Sequence, residues 1–103
     1  MTVRAWLRAR QPAAPPRLAA RVESALGDRC ELPNTQAADA CLDASVDLLR
    51  ELLSRESAGR ESALDLLAAD ALVTYAFEAA AQDPQTLATR ADDAMRRLSA
   101  AVQ

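Results

Sequence analysis

Residues 63–81 read ALDLLAADALVTYAFEAAA, and this run constrains the chain more than any other. Fifteen of its nineteen residues are apolar, and the polar ones are Asp65, Asp70, Thr74 and Glu78. Asp70, Thr74 and Glu78 recur every fourth residue, so on a helix they form one narrow polar stripe. The rest of the circumference is Leu, Ala, Val, Tyr and Phe. A helix that is apolar nearly all round must be covered nearly all round. The run is therefore expected at the centre of a bundle, or with one face closed by a second chain. Its length is close to that of a membrane span. However, each of its three carboxylates would cost about 2.5–3.5 kcal/mol near a bilayer centre, which sets the span aside.

The remaining composition agrees with helix. The chain has 103 residues, enough for one domain, with no His and only two Gly. About a quarter of it is Ala, and no Lys or Ile occurs, so all twelve cations are Arg. That bias reads as the habit of a high-GC bacterial genome and is given no functional weight. High Ala with Leu, Arg and Glu favours helix at nearly every position, whereas the five Val are scattered. The expected fold is all-α: a bundle of three long helices plus a shorter one before them.

Punctuation places the elements. Residues 2–10 form a short amphipathic helix with Val3, Trp6, Leu7 and Arg10 on one side. Pro12, Pro15 and Pro16 stop it and make a stiff linker. Residues 1–15 are thus a basic arm with a proline-rich linker, and residues 16–103 are the bundle domain. The first bundle helix starts at Pro16 and ends at Gly27. Asn34 or Thr35 caps the next, which runs to about residue 56. Ala38, Cys41, Ser45, Leu48 and Leu52 space it as a packing seam, closest to its neighbour near Ala38 and Cys41. A short connection at residues 57–60 makes it antiparallel to the helix of residues 61–82. Asp83 and Pro84 signal the start of the last helix, which ends near Val102. Its outer face carries the pairs Asp92–Arg96 and Asp93–Arg97, and Glu51–Arg55 is a further pair on the second helix.

Charge is divided unevenly. Residues 1–29 carry six Arg against Glu23 and Asp28, whereas residues 30–103 carry six Arg against thirteen acids. The basic arm either docks on its own acidic body or binds a partner through Trp6, Leu7, Arg4, Arg8 and Arg10, Trp and Arg being frequent hot spots. Trp6 among arginines also suits a membrane surface, as a peripheral adaptor, although three Arg attract lipid weakly. No helix of the acidic body has a basic recognition face, so nucleic acid is not expected. The apolar pieces around Val3 and Leu7 are broken by Arg8 and Arg10, so no secretory leader is read and a cytoplasmic chain is expected.

Chemistry is thinly represented. Asp39, Asp43, Asp47 and Glu51 form an acidic ladder on one helix edge. With Asp70, the three aspartates are a weak candidate for holding Mg²⁺ and, through it, a phosphorylated or diphosphate substrate. Four like charges on one edge destabilise a helix unless something neutralises them. Without His or Lys no Ser has an ordinary activating base. Asp70, inside the apolar run, is the best candidate for a perturbed carboxylate. Cys30 and Cys41 lack the further ligands of a metal motif and read as a loop residue and a small core residue. No cofactor is expected.

The string LLAADALVTYAFEAA, residues 66–80, resembles the helix LLAGDALLTLAFELL of the all-α polyprenyl diphosphate synthases, with Ala69 at the usual glycine. The resemblance covers fifteen of 103 residues. The family's DDxxD motifs are missing, since Asp92-Asp93 is followed by Ala94, Met95 and Arg96. The resemblance implies one helix of that fold and no activity.

The expectation is a protein-binding or accessory protein without catalysis of its own. Its partner is a second copy or a larger enzyme. Leu66, Val73, Phe77 and Tyr75 are the expected interface of a homodimer, because a chain with three aromatics has limited core material. On the same run Leu64, Leu67, Leu72 and Tyr75 are expected to face a second layer.

Overall fold

The structure is a computed structural model that describes residues 1–55, 59–82 and 87–102, without the side chains of Arg60, Glu61 and Leu87. Five α-helices follow in order: α1 (Val3–Arg8), α2 (Pro16–Leu26), α3 (Ala37–Ser54), α4 (Arg60–Ala80) and α5 (Leu87–Val102). Two 3-10 turns, Gly27–Glu31 and Asn34–Gln36, join α2 to α3. No strand occurs among the described residues, so the fold is all-α. The residues expected to cap the last helix, Asp83 and Pro84, lie outside the described residues, as do residues 57 and 58 of the expected 57–60 connection.

Local chemistry explains the ends. Thr2 caps α1 by accepting a hydrogen bond from the Ala5 amide on its hydroxyl, 3.2 Å away. Pro16 opens α2, where its missing N–H costs nothing. Gly27 ends it with φ +57°, a conformation that favours glycine. The start of α3 differs from the sequence expectation. Residues 34–36 wind more tightly than an α-helix, and the N-cap position falls to Gln36, which makes no side-chain capping bond.

The helices α3 and α4 form the most extensive pairing, with α2 against α4 on one side and α5 against α3 on the other. The pair is antiparallel: the Ser45 hydroxyl donates to the Ala69 carbonyl at 3.0 Å, and Arg55 at the far end of α3 reaches Asp65 near the start of α4. Ser45 is 1% exposed. A helix carbonyl can be reached by so short a side chain only because Ala68, Ala69 and Ala76 let the backbones approach. Cys41, Ser45 and Leu48 are buried as the seam expects, while Ala38 and Leu52 are half-buried. Ala37, Ala40, Ala44 and Val46 are buried as well, since α1, α2 and α5 close further sides of α3.

Burial around α4 is not uniform. Asp65, Ala68, Ala69, Leu72, Ala76 and Ala80 are buried and, at 100° per residue, occupy one side. Leu66 and Leu67 are 59% and 57% exposed, so the helix is not covered nearly all round. Leu67 therefore does not share the inner layer with Leu72. The side chosen for burial is mostly alanine, with Leu72 its one large apolar side chain, and this lets α3 and α4 approach closely.

Candidate functional site

The basic arm is folded onto the body. Val3 is fully buried and Trp6 is 4% exposed, both within the main core. The Val3 amide donates to the Leu32 carbonyl at 2.8 Å, and the Asn34 amide donates to the Met1 carbonyl at 2.9 Å. These bonds stitch the arm beside the turns before α3. Arg8 holds both oxygens of Glu23 at 3.0–3.1 Å, and Arg4 bonds Glu23 at 3.2 Å and also pairs with Glu31. The fork from Arg8, before that from Arg4, holds the Glu23 carboxyl below its usual range. The Arg10 guanidinium lies 4.4 Å over the Trp6 ring and 3.9 Å from Glu78. Trp6 meets Tyr75 edge-on at 6.4 Å.

Of the five arm residues expected to meet a partner, the structure thus turns Trp6 inward and engages Arg4, Arg8 and Arg10 with the chain's own acids and Trp6 ring. Leu7 is half-buried. The Trp6 Nε1 is buried without an acceptor among the described residues. No described helix is long and apolar enough to cross a membrane.

The four residues of the expected interface separate into two groups. Leu66, Val73 and Phe77 fall on one stripe of α4, with Leu66 exposed and the other two half-buried. Phe77 lines a small gap towards Ala94 of α5. Tyr75 lies on the opposite side, against the arm. Asp70 and Thr74 run between the Leu66 stripe and Leu67, and Thr74 bonds back to the Asp70 carbonyl at 3.1 Å.

Three of the four carboxylates of the acidic ladder are paired from outside their helix. Asp39 pairs with Arg90 at 3.1 Å, Asp43 with Arg97, and Asp47 with Arg29 at 2.6 Å. Arg97 therefore reaches across to α3 instead of forming its expected bond within α5 to Asp93. Asp70 is on the exposed side of α4 and joins none of them. Among the described residues no three ligating side chains group as a metal site.

The structure assigns weight to a carboxylate that the sequence reading passed over. Asp65 is 6% exposed and bridges three helical segments. Arg21 of α2 donates to its Oδ1 at 2.5 Å and Arg55, just past α3, donates to Oδ2 at 2.6 Å. The hydrogen bond from Arg21, followed by that from Arg55, holds the Asp65 carboxyl below its usual range against the opposing effect of burial. Arg55 thus serves Asp65 rather than the expected Glu51. One signal was present: Asp65 stands off the Asp70–Thr74–Glu78 stripe, and a lone carboxylate on an apolar side demands cationic partners.

Cys30 and Cys41 are both free and fully buried. Burial pushes both thiols up, Cys41 to about 12. Neither is placed for nucleophilic chemistry, which needs a thiolate. Burial also raises the Tyr75 hydroxyl.

No protein-family model matches this chain, no curated protein matches it, and no solved structure matches it. The helix resemblance to the polyprenyl diphosphate synthases thus gains no family match, and function has to be argued from the surface and the site.

Proposed function

We propose that this protein is a binding or accessory protein that associates with a second copy of itself through the outer side of α4. The observation that carries the reading is Leu66 and Leu67, adjacent residues left 59% and 57% exposed on the most apolar helix of the chain. Single exposed leucines are ordinary on a protein surface. Here Leu66 is continued by half-buried Val73 and Phe77, and Leu67 lies across the Asp70–Thr74 stripe, so the outer side of α4 offers apolar surface for burial against another chain. Leu53, Met95 and Val102 add exposed apolar side chains on α3 and α5. The reading gives the chain no chemistry of its own, in keeping with a sequence that holds no His or Lys. A larger enzyme is the alternative partner for the same surface.

Sedimentation velocity at micromolar concentration tests it. A dimeric mass that becomes monomeric in Leu66→Glu, with the circular dichroism unchanged, is expected. A monomeric mass for the unaltered chain up to about 100 μM overturns self-association, and a stoichiometric partner retained from native lysate then tests the accessory role.

A further inference from the structure

A cavity of about 170 Å³ lies between the arm, the linker and α2, with Tyr75 of α4 as one wall. Leu7, Ala13, Ala14, Ala19 and Val22 supply its apolar lining, and Arg8 and Glu23 form a polar edge. It is a pocket half open to the surface rather than an enclosed void. Here it stays open for two local reasons. The linker side chains that face it are alanines, too short to reach across, and prolines on both sides of Ala13-Ala14 stiffen the segment over it. A cavity of about 150 Å³ lined by aliphatic and aromatic side chains is enough to hold benzene.

The polar groups at the cavity restrict its occupant further. Glu23 is already bonded by Arg4 and Arg8, and Arg4 also pairs with Glu31. These two cations and two anions cancel, so the edge offers no unmatched charge to an ionic ligand. The Tyr75 hydroxyl is not among the buried polar atoms that lack a partner, so it stays within reach of water, and a ligand oxygen there would take the place of water. The ring of the same residue offers a face or edge to a second ring.

We propose that this cavity binds a small uncharged aromatic molecule carrying one hydroxyl or carbonyl, a phenol in the simplest case. The ring packs on Leu7, Ala14, Ala19 and Val22, and its oxygen meets the Tyr75 hydroxyl. Trp6, edge-on to Tyr75, stands next to the site without lining it and reports on it.

The probes are phenol and benzene, titrated into the full chain and followed by amide NMR shifts and Trp6 emission. Saturable binding of phenol with a dissociation constant of about 1–10 mM is expected for so few atoms. The shifts should cluster at Ala14, Ala19 and Val22. Ala19→Leu fills the cavity and should weaken binding at least about tenfold; Ala14→Leu on the linker does the same if the first variant fails to fold. Tyr75→Phe should remove the preference for phenol over benzene and leave benzene binding unchanged. Absence of saturation, or shifts confined to the exposed leucines of α4, overturns the proposal. Sedimentation reads the self-association separately, so either result stands without the other.

Discussion

Asp65→Asn takes one negative charge from between two guanidinium groups and leaves the shape of the side chain almost unchanged. Each charge-assisted hydrogen bond of this kind contributes about 1.5–3 kcal/mol. Removing one partner from a buried ion pair costs about 3–5 kcal/mol, because the remaining charge stays desolvated. The side chains of Arg21 and Arg55 are 24% and 31% exposed, so water recovers part of that cost. A loss of about 2–4 kcal/mol is expected at pH 7, against a total stability of about 5–15 kcal/mol for a chain of this size. The thermal midpoint should fall by about 8–20 °C. Urea unfolding followed by circular dichroism measures the loss, with an unchanged slope showing that the unfolding unit is the same. Acid sharpens the test. Asp65 binds its proton less readily in the folded chain than in the unfolded one, whose carboxyl titrates near pH 3.9. Its contribution is therefore complete well above that pH and is lost as the pH falls through the lower folded value. The gap between the two proteins should narrow below about pH 4. A difference under about 0.5 kcal/mol at pH 7, or a gap that persists in acid, refutes the clamp.

Other outcomes follow from burial and contact. Ser45→Ala should cost about 0.5–1.5 kcal/mol in urea unfolding, because the Ala69 carbonyl loses a bond from a group beside it. Ser45→Val should cost more, about 1–3 kcal/mol beyond that, by forcing α3 and α4 apart. Trp6→Ala should destabilise by about 3–5 kcal/mol, and the emission of Trp6 in the unaltered chain should be shielded from acrylamide. Cys30 and Cys41 should resist a thiol reagent at pH 8 in the native chain and both react in denaturant, read by mass spectrometry.

The helical class was legible because periodicity and punctuation act locally. Pro16 and Gly27 bound α2 as expected, and Cys41, Ser45 and Leu48 of the α3 seam are buried as their spacing predicts. What the sequence hid was which side of α4 that neighbour would take. Leu66 and Leu67 are more apolar than Ala68 and Ala69, and hydropathy alone would bury the leucines. Packing decides otherwise, since Ser45 must come within 3.0 Å of the Ala69 carbonyl. The charge partners were illegible for a related reason. Helical spacing sees Asp93–Arg97 and Glu51–Arg55, but Asp43–Arg97 and Arg55–Asp65 join elements whose proximity is set by the tertiary fold. The ladder's four like charges did signal that neutralisation was required, without saying that α5 and the turn after α2 would supply it. The spacing of the arm placed Val3 and Trp6 on one side, but not what that side meets, because Glu23 and Tyr75 arrive from distant sequence.

That distance has a kinetic consequence. Residues 3–10 are seated by residues 22–34 and by Tyr75 and Glu78. Closing a loop of roughly seventy residues is entropically costlier than closing the α3–α4 hairpin, by about 0.6 kcal/mol for each doubling of loop length. The arm's seat does not exist until the hairpin has positioned α4. Refolding should therefore regain helical dichroism before the Trp6 signal, and a chain caught in between would carry an uncovered Trp6 ready to lodge in the seat of a neighbouring molecule.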